Sequence, residues 1–151
     1  MEEITRLQWI DKKLDELEDE EIEAVLQLVR EIPTKERLTR DDLVDRLNRF
    51  PQHRITLVKC GGDEVISVHI AYEKDESTWY LWLGCTREDW RGRGIAKRYF
   101  SDTERRAREE GYERLEIKVP TGSRLQSHLM RRGWRVKEVN KSACILELEL
   151  K

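Results

Sequence analysis

Proline, cysteine, histidine and phenylalanine are scarce in this 151-residue chain, and a long apolar run is missing. The three cysteines, Cys60, Cys85 and Cys144, stand far apart without the paired spacing of a zinc site or disulfide framework. Reduced, mostly buried thiols are expected. The three histidines, His53, His69 and His128, form no His-x-x-x-His pair, so no protein-ligated metal is expected. The longest apolar run, Trp79 to Leu83, falls far short of the ~20 residues of a membrane helix. The opening Met-Glu-Glu-Ile lacks the basic and apolar regions of a secretory signal, and a cytoplasmic protein without membrane contact is expected. Net charge is also lacking: 29 basic against 31 acidic side chains leave −2, too little to hold a chain open by self-repulsion. Leu, Ile, Val and Phe together make up about a quarter of the residues, above the roughly 20% that marks disorder, so one folded domain over residues 1–151 is expected.

What the chain has in abundance is charge, 40% of residues, and it is unevenly placed. Residues 1–50 carry −6 and residues 51–90 carry −3, residues 91–135 carry +7, and residues 136–151 are neutral. A cationic segment in a weakly acidic protein suits a locally held anion, although a solvated charged face has the same composition.

Hydrophobic spacing predicts a helix from about Leu14 to Ile32, ended by Pro33, and a second opening at Thr39 with Asp42 as its capping-box partner and closing before Pro51. Ile4 to Ile10 reads as a short strand or a helical lead-in. The period then changes. Ile55 to Cys60 and Val65 to Tyr72 form a hairpin across Gly61-Gly62-Asp63, with Ile66, Val68, Ile70 and Tyr72 on one face. A central strand follows, with Trp79, Leu81, Leu83 and Cys85 on one face and Tyr80 and Trp82 on the other. After it come a helix over Gly94–Glu110 with an inward stripe of Ala96, Tyr99, Phe100, Thr103 and Ala107, a strand over Leu115–Val119, a helix over Ser123–Arg132, and a hairpin of Trp134–Val139 with Ala143–Leu150. This order gives an α/β fold of the α+β type: a mixed, mostly antiparallel central sheet flanked by helices.

The informative segment is Leu83-Gly84-Cys85-Thr86-Arg87-Glu88-Asp89-Trp90-Arg91-Gly92-Arg93-Gly94-Ile95-Ala96-Lys97. A buried strand feeds a glycine-bearing turn and then a helix, so unpaired N–H groups and the positive end of the helix dipole converge on one place. Such a cradle suits a pyrophosphate. Taken alone, Arg-Gly-Arg-Gly is also compatible with an ordinary helix entrance or an RNA-binding fragment. A longer glycine series with a distant acid, as in dinucleotide folds, is lacking, and so is Gly-Lys-Ser/Thr.

Arg91-Gly92-Arg93-Gly94-Ile95-Ala96 resembles the Arg/Gln-x-x-Gly-x-Gly/Ala signature of the GCN5-related N-acetyltransferases, and the order of elements is similar across nearly the whole chain, including Gly133-Trp134 where that family has Gly-Phe. The resemblance implies an acyl-CoA-dependent N-acyltransferase, with acetyl-CoA or another acyl-CoA as co-substrate. It implies that N–H groups from Gly92, Arg93, Gly94, Ile95, Ala96 and Lys97 hold the pyrophosphate, with Arg91 and Arg93 beside it. Cys85 and Thr86 would pair with the pantetheine arm, in a slot where a strand-end bulge splays the fourth and fifth strands. Residues 1–50 would shape the acceptor side and residues 55–151 the sheet and cofactor-binding core.

Amine attack on a thioester calls for a base to take the amine proton and an acid for the departing thiolate. The Tyr that the family often places four residues before Gly-Phe is Leu129 here, and its frequent Asn is replaced by Gly122 or Ser123. Ser123, Ser127 or His128 are substitute acids, Ser127 foremost, each with a cap or surface role as the alternative. Glu116 is the candidate base, against a role as a strand-face carboxylate paired with Lys or Arg; Glu73 and Asp89 are weaker candidates. The acids of residues 11–45 point to a cationic acceptor, such as a polyamine, an amine-bearing small molecule or a protein lysine. The missing Tyr and Asn motivate a second reading, an inactive acyl-CoA-binding or protein-interaction module. Nucleic acid is not the expected partner, because the acidic remainder would repel it. The Ala143–Leu150 strand offers an edge for a homodimer.

Overall fold

The computed structural model describes residues 6–32 and 37–150. Strand β1 (Gln8–Lys12) is followed by a 3-10 turn (Leu14–Glu16) and two helices, α1 (Asp19–Val29) and α2 (Arg40–Arg49). Three strands follow, β2 (His53–Cys60), β3 (Glu64–Asp75) and β4 (Thr78–Thr86). A 3-10 turn (Glu88–Trp90) leads to α3 (Ile95–Glu109), β5 (Arg114–Pro120), α4 (Arg124–Arg131), β6 (Arg135–Val139) and β7 (Ala143–Glu149). The strands make one seven-stranded sheet in the order β1-β2-β3-β4-β5-β7-β6, antiparallel except between β4 and β5. No described helix is long and apolar enough to cross a membrane.

The helix expected from Leu14 is shorter than its apolar spacing suggests. Leu17 is extended, and α1 begins after Glu18, whose N–H donates to the Glu21 carboxylate at 2.9 Å. Leu14 and Leu17 keep their apolar contacts from outside the helix. Pro33, expected to stop this helix, lies outside the described residues, as does Ile4; the ambiguous stretch ending at Ile10 is strand β1. Helix α2 starts as expected, with Thr39 and Asp42 exchanging both capping-box bonds.

Helices α1 and α2 cover one face of the sheet, where Val25, Leu43, Leu47, Ile55, Leu57 and Ile70 exclude solvent completely. Helices α3 and α4 cover the other, with Tyr99, Phe100, Ala107 and Leu129 against Trp79, Leu81, Leu115 and Leu146. Each fully buried Leu or Ile contributes about 1.5–3 kcal/mol by leaving water, so the two halves of the core hold the sheet from both sides. The inward stripe of α3 begins at Ile95, which is buried; Ala96, expected there, is exposed.

Two bulges change which residues share a face. On β4, Leu83 pairs with Ile70 and Leu81 with Ala71, leaving Trp82 as an extra residue. Trp79 and Leu81 therefore pack toward α3, whereas Leu83 and Cys85 pack toward α1 and α2 with Tyr80 and Trp82 beside them. On β3, Ser67 pairs with Val58 and Val65 with Lys59, so Ile66 is the extra residue and joins Val58, Trp90 and Ile95 instead of Val68. An inserted residue shifts a period-2 pattern by one, which is why the expected single faces of both strands break.

The terminal strand is not an edge. β7 lies between β5 and β6 and is paired on both sides, so the outer strand on this side of the sheet is β6. The expectation that Ala143–Leu150 offers an edge to a second copy fails on this order.

Candidate functional site

The turn after β4 is anchored from both ends. The N–H of Arg87 donates to Ile66 O at 2.8 Å, and Trp90 is buried against Val58, Ile66 and Ile95. Arg91 donates from Nε to Thr86 O at 2.8 Å, tying the loop back to the strand end, and its guanidinium lies 3.7 Å from Glu31. The Arg93 guanidinium covers the Trp90 ring at 4.4 Å. Gly92 and Gly94 have φ of +76° and +85°, and no atom lies within 4 Å of where a Cβ would be, so backbone conformation and not space requires glycine at both. The first α-helical bond of α3 runs from Arg98 N–H to Gly94 O at 3.0 Å. This leaves the N–H groups of Ile95, Ala96 and Lys97 without intrahelical acceptors, at the positive end of a helix with no acid in its first turn. The glycine turn and the free helix N–H groups expected to form a cradle adjoin here.

A slot opens beside it. β4 and β5 are paired only from Thr78–Arg114 to Leu81–Ile117; β4 continues to Thr86 and β5 to Pro120 without facing each other in register. The gap between them is a cavity of about 220 Å³, lined by Leu81 to Thr86, Ile117 to Pro120, Ala96, Tyr99 and Phe100 of α3, Leu125 of α4, Ile32 and His69. The peptide groups along these parted edges need partners, and an extended ligand carrying amides can supply them as an added strand would.

Under the slot runs a polar chain. Ser67 Oγ lies 3.0 Å from His69 Nε2, 2.8 Å from Thr86 Oγ1, and donates to Cys85 O at 3.1 Å. His69 stacks on Tyr99 with ring centroids 4.0 Å apart, and a Cβ at Gly84 would stand 3.0 Å from its Nδ1. Burial drives the His69 imidazole down to about 3, so the ring is neutral, and drives the Tyr99 hydroxyl up to about 12. The Cys85 thiol donates to Leu28 O at 3.0 Å, and burial pushes its pKa up, so Cys85 offers the slot backbone and not a thiolate.

On the α1/α2 face, Tyr80 stands opposite Glu116 one pair before the strands part. Glu116 is 2% exposed, with Oε1 at 2.6 Å from Lys74 Nζ and Oε2 at 3.2 Å from Lys137 Nζ. Tyr72 lies 5.4 Å from Tyr80 and 6.2 Å from Trp82, centroid to centroid, and stacks on Phe50 at 4.0 Å. The Arg46 guanidinium sits 4.7 Å from the Trp82 ring and donates to Tyr72 Oη at 3.0 Å. Burial first, then Tyr72 and Glu116, push the Tyr80 hydroxyl up to about 12.

Other expected residues lie elsewhere. Ser127 is exposed on α4 and does not line the slot. Leu129 is fully buried, and Ser123 caps α4 by accepting from Gln126 N–H at 3.2 Å. His128 is half-buried, 6.4 Å from Phe100. Glu73 accepts from Tyr112 Oη–H at 2.9 Å, and Asp89 is held by Arg87 at 2.7 and 3.0 Å. Of the acids that suggested a cationic acceptor, Glu21 pairs with Lys12 and Lys59, Asp19 with Arg40, and Glu31 with Arg91. Sequence reasoning missed His69, Trp82, Tyr99 and Lys118 as slot residues. The period-2 pattern of β3 already placed His69 opposite the apolar face, but nothing local pointed to α3 stacking on it. Among the described residues, no three His, Cys, Asp or Glu side chains gather to hold a metal.

Residues 14–134 match the model of the acetyltransferase (GNAT) family. Solved structures share the fold. A GNAT family acetyltransferase from Elizabethkingia anophelis with acetyl-CoA bound is 18% identical, with a TM-score of 0.68 over 96% of this chain and 99% of that one. Ard1 from Thermoplasma volcanium is 14% identical, with a TM-score of 0.76 over 95% and 98%. A PaiA N-acetyltransferase from Thermoplasma acidophilum in complex with coenzyme A is 14% identical, with a TM-score of 0.73 over 94% and 99%. No curated protein is significantly similar in sequence.

Proposed function

Because the chain belongs to the GNAT acetyltransferase family, we propose that it is an acetyl-CoA-dependent N-acetyltransferase acting on a primary amine. One observation carries this reading: the slot between the parted β4 and β5 opens at the strand end that leads into the anion cradle before α3. The residues fit the co-substrate. Free N–H groups at a helix N-terminus suit a pyrophosphate, unpaired strand edges suit a pantetheine arm with two amides, and the apolar lining suits a thioester. Two structural neighbours carry acetyl-CoA or coenzyme A, which supports the same assignment.

Acetyl-CoA supplies an acyl carbon that bonds to the amine nitrogen as the carbon–sulfur bond breaks, the amine proton ending on the released thiol or in water. The protein's part is positional. Gly92 to Lys97 hold the phosphates by backbone N–H groups, with Lys97 and Arg93 adding charge. Arg91, bonded to Thr86 O, fixes the loop against the strand, and the backbone at Cys85 and Thr86 aligns the arm. Leu129 offers no proton, and none is required, since a thiol of pKa about 8.5 leaves readily as thiolate. Glu116, its two oxygens shared between Lys74 and Lys137, is a positioning residue for those ammonium groups and not the base.

Calorimetric titration with acetyl-CoA tests the binding half of this reading, and thiol release over a panel of amines tests the transfer half. Micromolar binding with turnover of at least one amine is expected. Absent binding at high micromolar ligand overturns it, and binding without any turnover reduces the protein to an acyl-CoA-binding module.

A further inference from the structure

Trp82 joins two surfaces. Its position lines the slot, and its ring is the end of an aromatic floor that continues through Tyr72 and Tyr80 on the α1/α2 face. A bare floor of this kind would attract a cationic amine through its π faces. Here the places are taken: Arg46 lies 4.7 Å from the Trp82 ring and Lys74 Nζ lies 5.9 Å from the Tyr80 ring. A second cation brought to the same rings would meet like charge.

The cations around the floor are under-neutralised. Arg46 gives one N–H to Tyr72 and makes no ion pair among the described residues, so most of its five donors are unspent. Lys74 and Lys137 divide a single carboxylate, Glu116. Lys118, two residues along β5 on the same face, lines the slot and makes no ion pair among the described residues. The next acid on that face, Glu147 of β7, is in register with both Glu116 and Arg135, so it adds one carboxylate beside Lys137 and leaves Arg46, Lys74 and Lys118 with no acid other than Glu116 paired against them among the described residues. The wall beside the slot is thus aromatic and cationic.

We infer that the acceptor amine carries an anionic group, a carboxylate or a phosphate, which docks on Arg46 and on the Lys74–Glu116–Lys137 bridge while its amine enters the slot past Trp82. This rests on the transferase reading and names the class of its second substrate. The aromatic floor takes the hydrocarbon between the two groups, and the forked guanidinium takes the anion.

Matched amines test it: β-alanine against propylamine for the carboxylate, O-phosphoethanolamine against ethanolamine for the phosphate, and putrescine as the cationic arm. With acetyl-CoA as donor, one of the anionic members should exceed its neutral partner by about tenfold or more in kcat/KM, the scale of one charged hydrogen bond. Arg46→Gln and Lys74→Gln, each checked for an unchanged melting profile, should raise KM for that amine at least about tenfold more than for its neutral partner. Equal turnover within both pairs, or preference for putrescine, overturns the inference. If no amine turns over, titration of the coenzyme A-loaded protein with the two anionic amines decides: binding that weakens in Arg46→Gln supports it, and absent binding overturns it. The same titration without coenzyme A keeps the readings apart. Failure to bind acetyl-CoA with retained anion binding at Arg46 removes the transferase reading alone.

Discussion

The Lys59 ammonium lies 2.8 Å from Oε2 of Glu21, joining β2 to the first turn of α1. Lys12 of β1 holds the other oxygen at 2.8 Å, so a carboxylate only 6% exposed bridges two strands and a helix. Burial raises the Glu21 carboxyl, but the N–H of Glu18 and the two lysines outweigh it and hold the group at about 2. A depressed carboxyl stabilises the fold above its unfolded pKa and loses that contribution as pH falls through the folded one. The loss therefore spans roughly pH 4.5 to 2. Glu21→Gln should cost on the order of 3 kcal/mol at pH 7 and nearly nothing at pH 2, read by urea unfolding at both pH values. Equal cost at both would show that packing, not charge, is what the substitution removes.

His69 makes a second acid-sensitive contribution in a different window. Its folded form excludes the proton down to about pH 3, whereas an unfolded histidine binds it near 6.5. Stability should be complete above pH 6.5 and decline below it with a slope approaching ~1.4 kcal/mol per pH unit. His69→Gln should flatten the melting temperature between pH 6.5 and 4.5, above the range where Glu21 titrates. A slope that survives the substitution would assign the decline to other groups.

Gly94 has φ of +85° with open space around it, so any side chain there meets backbone strain alone. Gly94→Val should lower stability by about 1–2 kcal/mol or twist the cradle away from its geometry. In the second case acetyl-CoA affinity falls about tenfold or more. Gly94→Asn, which tolerates the left-handed region, should retain more of both. Calorimetry with chemical unfolding on the three proteins separates the cases, and equal affinity together with equal stability in all three would show that this turn does not require the left-handed backbone.

Glu116 distinguishes charge positioning from proton transfer. Removing a general base costs about 100-fold or more in rate. Glu116→Gln should instead lower kcat by less than ~10-fold while raising KM for the acceptor, because Lys74 and Lys137 lose their common anchor. A steep loss of kcat at unchanged KM would restore the base role.

The cap of α2 is the simplest stability test. Thr39 Oγ1 accepts from Asp42 N–H at 3.1 Å while Asp42 accepts from Thr39 N–H at 3.0 Å. Thr39→Ala should cost about 1 kcal/mol in chemical unfolding without altering acetyl-CoA affinity.

Features set by neighbours along the chain were legible in the sequence. The Thr39–Asp42 capping box and the glycine turn before α3 follow from short segments, whereas the slot beside that turn was expected from the family resemblance. Where a distant partner decides, the reading failed. Leu14 and Leu17 have helical spacing but belong to a turn, because Glu18 and Glu21 cap the helix behind them. The strands β3 and β4 carry extra residues that alternation cannot reveal, so Ile66 leaves the expected face of β3 and the expected face of β4 splits in half. The place of β7 inside the sheet depends on a crossover, and the last strand in sequence was mistaken for the last in space. At the site, Gly92 and Gly94 were visible as a motif. Arg46, Trp82 and Lys74 were not, because α2, β4 and β3 bring them together from three separate parts of the chain.

The parted strands also bear on how the protein holds together. Residues of β1 to β4 and residues of β5 to β7 form two antiparallel blocks, and the hydrogen-bonded seam between them is only four residue pairs long. A ligand laid between the loose ends would act as a suture, adding rungs where the protein has none of its own. Amide exchange along Trp82–Thr86 and Lys118–Pro120 should then slow on acetyl-CoA binding, and the two blocks should melt as one unit where the empty protein yields first along its seam.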